Sequence, residues 1–87
     1  MRYYSGVGMV DSKRVQRLYD QVHRTRKNCS FEDLERLLLA VGFTERRTKG
    51  SHRIFKRGRF VLTIPERKPV KENYVDQVIA ILQELGA

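Results

Sequence analysis

Gly42, Gly50, Gly58 and Pro65 cut the middle of the chain into three pieces too short for stable helices. Each piece holds about six residues, the usual length of a strand. Phe43–Thr48, Ser51–Lys56 and Arg59–Ile64 therefore read as β-strands, with turns at Lys49-Gly50 and Arg57-Gly58. Phe60, Leu62 and Ile64 alternate with Val61 and Thr63, the period of a half-buried strand. Pro65 ends the third strand by withholding a ladder donor. Turns this tight allow only antiparallel neighbours.

Helical patterns flank the strands. Ser30 to Asp33 resembles a capping box, and Phe31, Leu34, Leu37, Leu38 and Val41 share one helical face before the stop at Gly42. From Glu72 to Leu85, the residues Tyr74, Val75, Val78, Ile79, Ile81, Leu82 and Leu85 make a wide apolar face, with Gly86 beyond it. Tyr74 reads as core before rim. An earlier helix runs from Ser12 to Lys27, capped by Asp11 or Ser12. Its narrower stripe is Val15, Leu18, Tyr19 and Val22, surrounded by arginines, with His23 at the boundary. The order is α, then α-β-β-β-α. Three sequential strands and two flanking helices predict a two-layer α+β sandwich, with both helices on one sheet face and the other face open. Residues 1–10 read as a mobile tail, 11–28 as a helical extension and 29–87 as the main domain.

A chain of 87 residues has room for one modest core. Cys29 is the single cysteine, so no internal disulfide forms, and a lone thiol fits a reducing compartment. It reads as a small apolar residue ahead of a helix. Residues 1–10 lack an apolar run of signal length, and no segment approaches a membrane span, so the expectation is a soluble cytoplasmic protein. No zinc-ligand spacing links His23, Cys29 and His52, and no glycine-rich phosphate loop is present, so neither a metal nor a cofactor is expected.

The formal net charge is +8, which calls for an anionic partner, nucleic acid first. A membrane surface ranks low, because the most apolar helix carries almost no basic residues. Ten of the eighteen Lys and Arg lie between residues 46 and 71, opposed there only by Glu66. Within that basic run sits His52. A two-residue loop at Arg57-Gly58 would set Lys56 opposite Arg59, Phe55 opposite Phe60, Arg53 opposite Leu62 and His52 opposite Thr63. Phe55, Phe60, Leu62 and Ile64 then fall under the helices, and His52, Ile54, Val61 and Thr63 on the open face. Arg53 falls on the covered side and must reach water at the rim. On the hairpin alone, His52 reads as an RNA- or partner-binding strand residue before a catalytic one.

Phe43 after Gly42, then Gly50-Ser51-His52 with Phe55, then Ile64-Pro65, then an apolar helix led by Lys71, resembles the HicA toxin family over Cys29 to Leu85. The resemblance implies a double-stranded-RNA-binding-like α-β-β-β-α fold and metal-independent cleavage of messenger RNA. It also implies neutralisation by an acidic HicB antitoxin, through which any oligomer would form. The family's active histidine maps onto His52 and its turn glycine onto Gly50. The region before Cys29 has no counterpart in the family pattern.

RNA supplies its own nucleophile, the 2′-hydroxyl. An imidazole, with an ordinary pKa of ~6.5, can take that proton, and fixed cations can steady the phosphate. His52 is thus the candidate general base. Lys49, Arg53 and Lys56 are candidates to hold phosphate, together with Gly50, Ser51, Arg46 and Arg47 around them. Two rival functions are a non-catalytic RNA-binding module and an inactive toxin homologue that works by binding its antitoxin.

Overall fold

The computed structural model describes residues 12–47 and 50–86. The expected tail, the alternative cap Asp11, Thr48 at the end of the expected first strand and Lys49 of the expected first turn lie outside the described residues. The elements run α1 (Ser12–Arg24), a 3₁₀ turn (Arg26–Asn28), α2 (Phe31–Ala40), β1 (Thr44–Arg47), β2 (His52–Arg57), β3 (Phe60–Pro65) and α3 (Glu72–Glu84). The strands form one antiparallel sheet in the order β1-β2-β3. This is the expected α+β sandwich of double-stranded-RNA-binding type, with α1 added in front.

α1 stops short of Lys27. The Thr25 hydroxyl donates to the Gln21 carbonyl at 2.8 Å, and the backbone then tightens into the 3₁₀ turn. Ser12 is the first helical residue. α2 starts as its sequence dictates, with the Ser30 hydroxyl accepting from the Asp33 N–H at 3.2 Å. It ends at Gly42, whose φ of +94° lets the Phe43 N–H return to the Leu38 carbonyl at 3.0 Å.

The β2–β3 register differs from the expected one. Arg57 pairs with Phe60, Lys56 with Val61, Phe55 with Leu62, Arg53 with Ile64 and His52 with Pro65. The two-residue loop is Gly58-Arg59, because the left-handed φ of +57° falls on Gly58 at the first central position. Each partner moves by two residues, so the alternation survives and no side chain changes face. β3 ends at Pro65 as expected, with the proline itself as the last strand residue, which an edge strand tolerates.

Phe55, Leu62 and Ile64 are buried against Phe31, Leu34, Leu37 and Leu38 of α2 and Val75, Val78 and Leu82 of α3. Val15 and Val22 join the same core, so α1 is packed onto the domain. Cys29 is fully buried and forms an isolated bridge with Val70. On the opposite sheet face His52, Lys56, Val61 and Thr63 are exposed, Val61 to 55%. Among the described residues no helix is long and apolar enough to cross a membrane.

Candidate active site

His52 opens β2, and β2 is the central strand. Its partner is Pro65, after which the chain leaves the sheet and returns as α3. Two backbone bonds fix that return. The Glu66 N–H donates to the Ser51 carbonyl, and the Val70 N–H donates to the Cys29 carbonyl at 2.9 Å. Lys71 becomes the N-cap residue of α3, and Tyr74 follows three residues later on the same helical side. The result is a cleft of about 300 Å³ lined by Ser51, His52, Pro65, Arg67, Lys71 and Tyr74. An exposed imidazole thus shares a concave surface with two cations, beside the electropositive end of a helix.

Arg53, next in sequence, points the other way. Its guanidinium lies 2.6 Å from Glu45, 3.0 Å from Glu66 and 3.4 Å from Glu35, and 5.3 Å from the centre of the Phe31 ring. Its side chain is only 12% exposed. The hydrogen bond to Glu45 is the main reason its pKa is raised further. Alternation carries Arg53 to the covered side, as the strand pattern predicts, and there three carboxylates hold the guanidinium that was a candidate to hold phosphate. Glu35 is itself pushed above the ordinary carboxylate range, first by a hydrogen bond shared with Glu45 and then by burial.

The remaining candidates divide by face. Arg46 pairs with Ile54, and Lys56 lies four residues along β2 from His52, so both share the open face. Arg46 sits diagonally from His52, at ~7–8 Å between Cα atoms, and Lys56 at ~13 Å along the strand. Arg47 pairs with Arg53 and belongs to the opposite side at the sheet edge. Gly50 has a φ of +80°, and nothing lies within 4 Å of where a Cβ would be, so backbone conformation alone makes it glycine. Ser51 is in the cleft wall. Lys49 is outside the described residues.

Sequence reasoning missed Arg67, Lys71 and Tyr74 as site residues. Tyr74 is half-buried, packed against the core as its apolar neighbours predict, and it also lines the cleft. The available signal was the spacing of Lys71 and Tyr74, three apart at a helix start. Arg67 had none, since a loop carries no periodicity.

No curated protein and no solved structure matches the chain. A family model described as the HicA toxin of bacterial toxin-antitoxin does match, over residues 31–87. The match begins at the first residue of α2, takes in the whole sheet and α3, and contains every residue of the cleft. With two-thirds of the sequence covered and the fold in agreement, the chain belongs to the HicA toxin family.

Proposed function

We propose that the chain is a metal-independent endoribonuclease, the mRNA-cleaving toxin of a toxin–antitoxin pair, with His52 as general base. One observation carries this: an exposed histidine shares a cleft with Arg67 and Lys71. His52 takes the proton of a ribose 2′-hydroxyl. The 2′-oxygen attacks the adjacent phosphorus, the bond from phosphorus to the 5′-oxygen breaks, and the departing oxygen takes a proton from water. The products are a 2′,3′-cyclic phosphate and a 5′-hydroxyl. Arg67 and Lys71 supply charge to the phosphate as it becomes more anionic. Arg46 and Lys56 extend the cationic surface across the open sheet for flanking phosphates. The antagonist that fits this surface is an acidic HicB-like protein laid over the cleft.

The test is cleavage of a defined RNA with chelator present. Wild type should give cyclic-phosphate ends, and His52→Ala should give none while its circular dichroism is unchanged. Undiminished cutting by that variant removes His52 from the mechanism. Saturable RNA binding without cutting by wild type would leave a binding module in its place.

A further inference from the structure

α1 and the 3₁₀ turn lie ahead of the segment that matches the HicA family model, and the cleft makes no use of them. Residues 12–28 contain six Lys and Arg against one acid, Asp20. The helical period sorts them. Val15, Leu18, Tyr19 and Val22 turn inward, and Val15 and Val22 are buried. Lys13, Arg17 and Arg24 recur at i, i+4 and i+11, on the opposite side, and all three are exposed. That stripe runs ~16 Å along the helix. Exposed Lys27 continues it into the 3₁₀ turn. Asp20 lies in the stripe too, accepting from Gln16 at 2.9 Å.

The stripe leads to the cleft. Two residues after Lys27, Cys29 bridges to Val70, the chain neighbour of Lys71 in the cleft wall. Beside this bridge Arg26 faces the two acids on the first turns of α3, Glu72 at 3.4 Å and Asp76 at 3.8 Å. Those carboxylates would otherwise repel a phosphate approaching Lys71. The extension thus both adds cations next to the cleft and masks the acids that border it.

We propose that the outward face of α1 and the 3₁₀ turn is a second RNA-contacting surface, holding the single strand that runs on from the cleft. Arg17, Arg24 and Lys27 take successive phosphates, and Arg26 keeps the junction electropositive. The assignment rests on reading the cleft as an RNA site. Phosphate is the chemistry that suits a row of exposed cations on a helix face without an apolar centre.

The experiment uses the full chain carrying His52→Ala, so that RNA survives, and compares a trinucleotide with an unstructured RNA of about twenty nucleotides by fluorescence anisotropy. Combining Arg17→Gln, Arg24→Gln and Lys27→Gln should weaken the long RNA about tenfold or more at low salt and leave the trinucleotide unaffected. The log–log salt slope for the long RNA should fall by about 2, the release expected for three phosphate contacts on a single strand. The charge-retaining set Arg17→Lys, Arg24→Lys and Lys27→Arg should keep the parent slope, which separates charge from folding. An unchanged affinity and slope in the glutamine variant overturns the proposal, while continued cleavage by the His52-bearing chain leaves the cleft reading standing. If that chain cuts nothing but the glutamine variant still loses the long RNA, cleavage at the cleft fails while RNA binding by the α1 surface stands. If the glutamine variant loses only a purified acidic antitoxin, the surface serves a protein and the proposal is overturned.

Discussion

Arg53 and Glu66 are joined at 3.0 Å, and each is the chain neighbour of cleft residues, His52 on one side and Pro65 and Arg67 on the other. The ion pair on the covered face therefore ties together the two walls of a cleft that neither residue lines. The same guanidinium gathers Glu35 from α2 and Glu45 from β1. Removing this cation would leave three carboxylates converging between α2 and the sheet, and breaking one side of a shielded ion network is more costly than losing an exposed pair. Arg53→Met should lower the urea midpoint clearly more than Arg59→Met, whose pair with Glu84 is largely exposed. It should also slow cleavage by loosening the Arg67 wall. Equal midpoints for the two variants would deny the network its structural role.

Glu35 supplies a pH dependence. Its folded pKa is raised, first by the hydrogen bond with Glu45 and against the pull of Arg53. A raised value means that the native state binds this proton more tightly than the unfolded chain does. Ionised Glu35 thus costs stability above its folded pKa, and the cost is absent below its unfolded value of ~4.3. Glu35→Gln should match or exceed wild type at pH 7, by under about 1 kcal/mol. The advantage should vanish as pH falls through the carboxylate range. Paired urea titrations at both ends of that range check the sign, and a variant weaker than wild type at pH 7 contradicts it.

Gly50 should respond to conformation, not size. Its φ of +80° is strained for any residue with a Cβ, while the space beside it is open. Gly50→Ala should cost about 1–2 kcal/mol, and Gly50→Asn less, because asparagine tolerates the left-handed region. Cleavage should follow the same ranking, since the turn delivers Ser51 and His52 to the cleft. Chemical denaturation of both variants measures it.

Cys29 should be silent in the native protein. Burial is the main cause of its raised pKa, partly opposed by a hydrogen bond with Thr25. A buried thiol with little thiolate is a poor nucleophile. A thiol-specific reagent should therefore label the protein only as fast as it unfolds, with urea accelerating the reaction through the unfolding transition. Rapid labelling without denaturant would show that the Cys29–Val70 bridge opens locally.

Position in the cleft, not charge alone, should govern activity. Lys71→Gln should reduce kcat/KM about 10- to 100-fold with an unchanged urea midpoint. Lys56→Gln, on the same face but outside the cleft, should cost less than about threefold. Steady-state cleavage of one short RNA by both variants compares them directly, and equal losses would mean a diffuse cationic surface.

Much of this protein is set by short-range rules. Ser30 starts α2 and Gly42 ends it because capping and left-handed backbone need only a few residues. The faces of β2 and β3 follow from strict alternation, which is why His52 reached the open side even with the hairpin loop misplaced by one residue. The HicA pattern was legible for the same reason, being a string of turn, strand and cap residues at short spacings. What the sequence could not contain was the company each side chain keeps across the fold. Arg53 reads as a covered-side cation reaching for water at the rim until α2, β1 and the residue after β3 bring three acids around it. Tyr74 reads as core, and only the 66–71 connection, which sets the start of α3 beside His52, makes it a cleft wall as well. Local chemistry fixes where a side chain points, but only the packing of distant segments fixes what it meets.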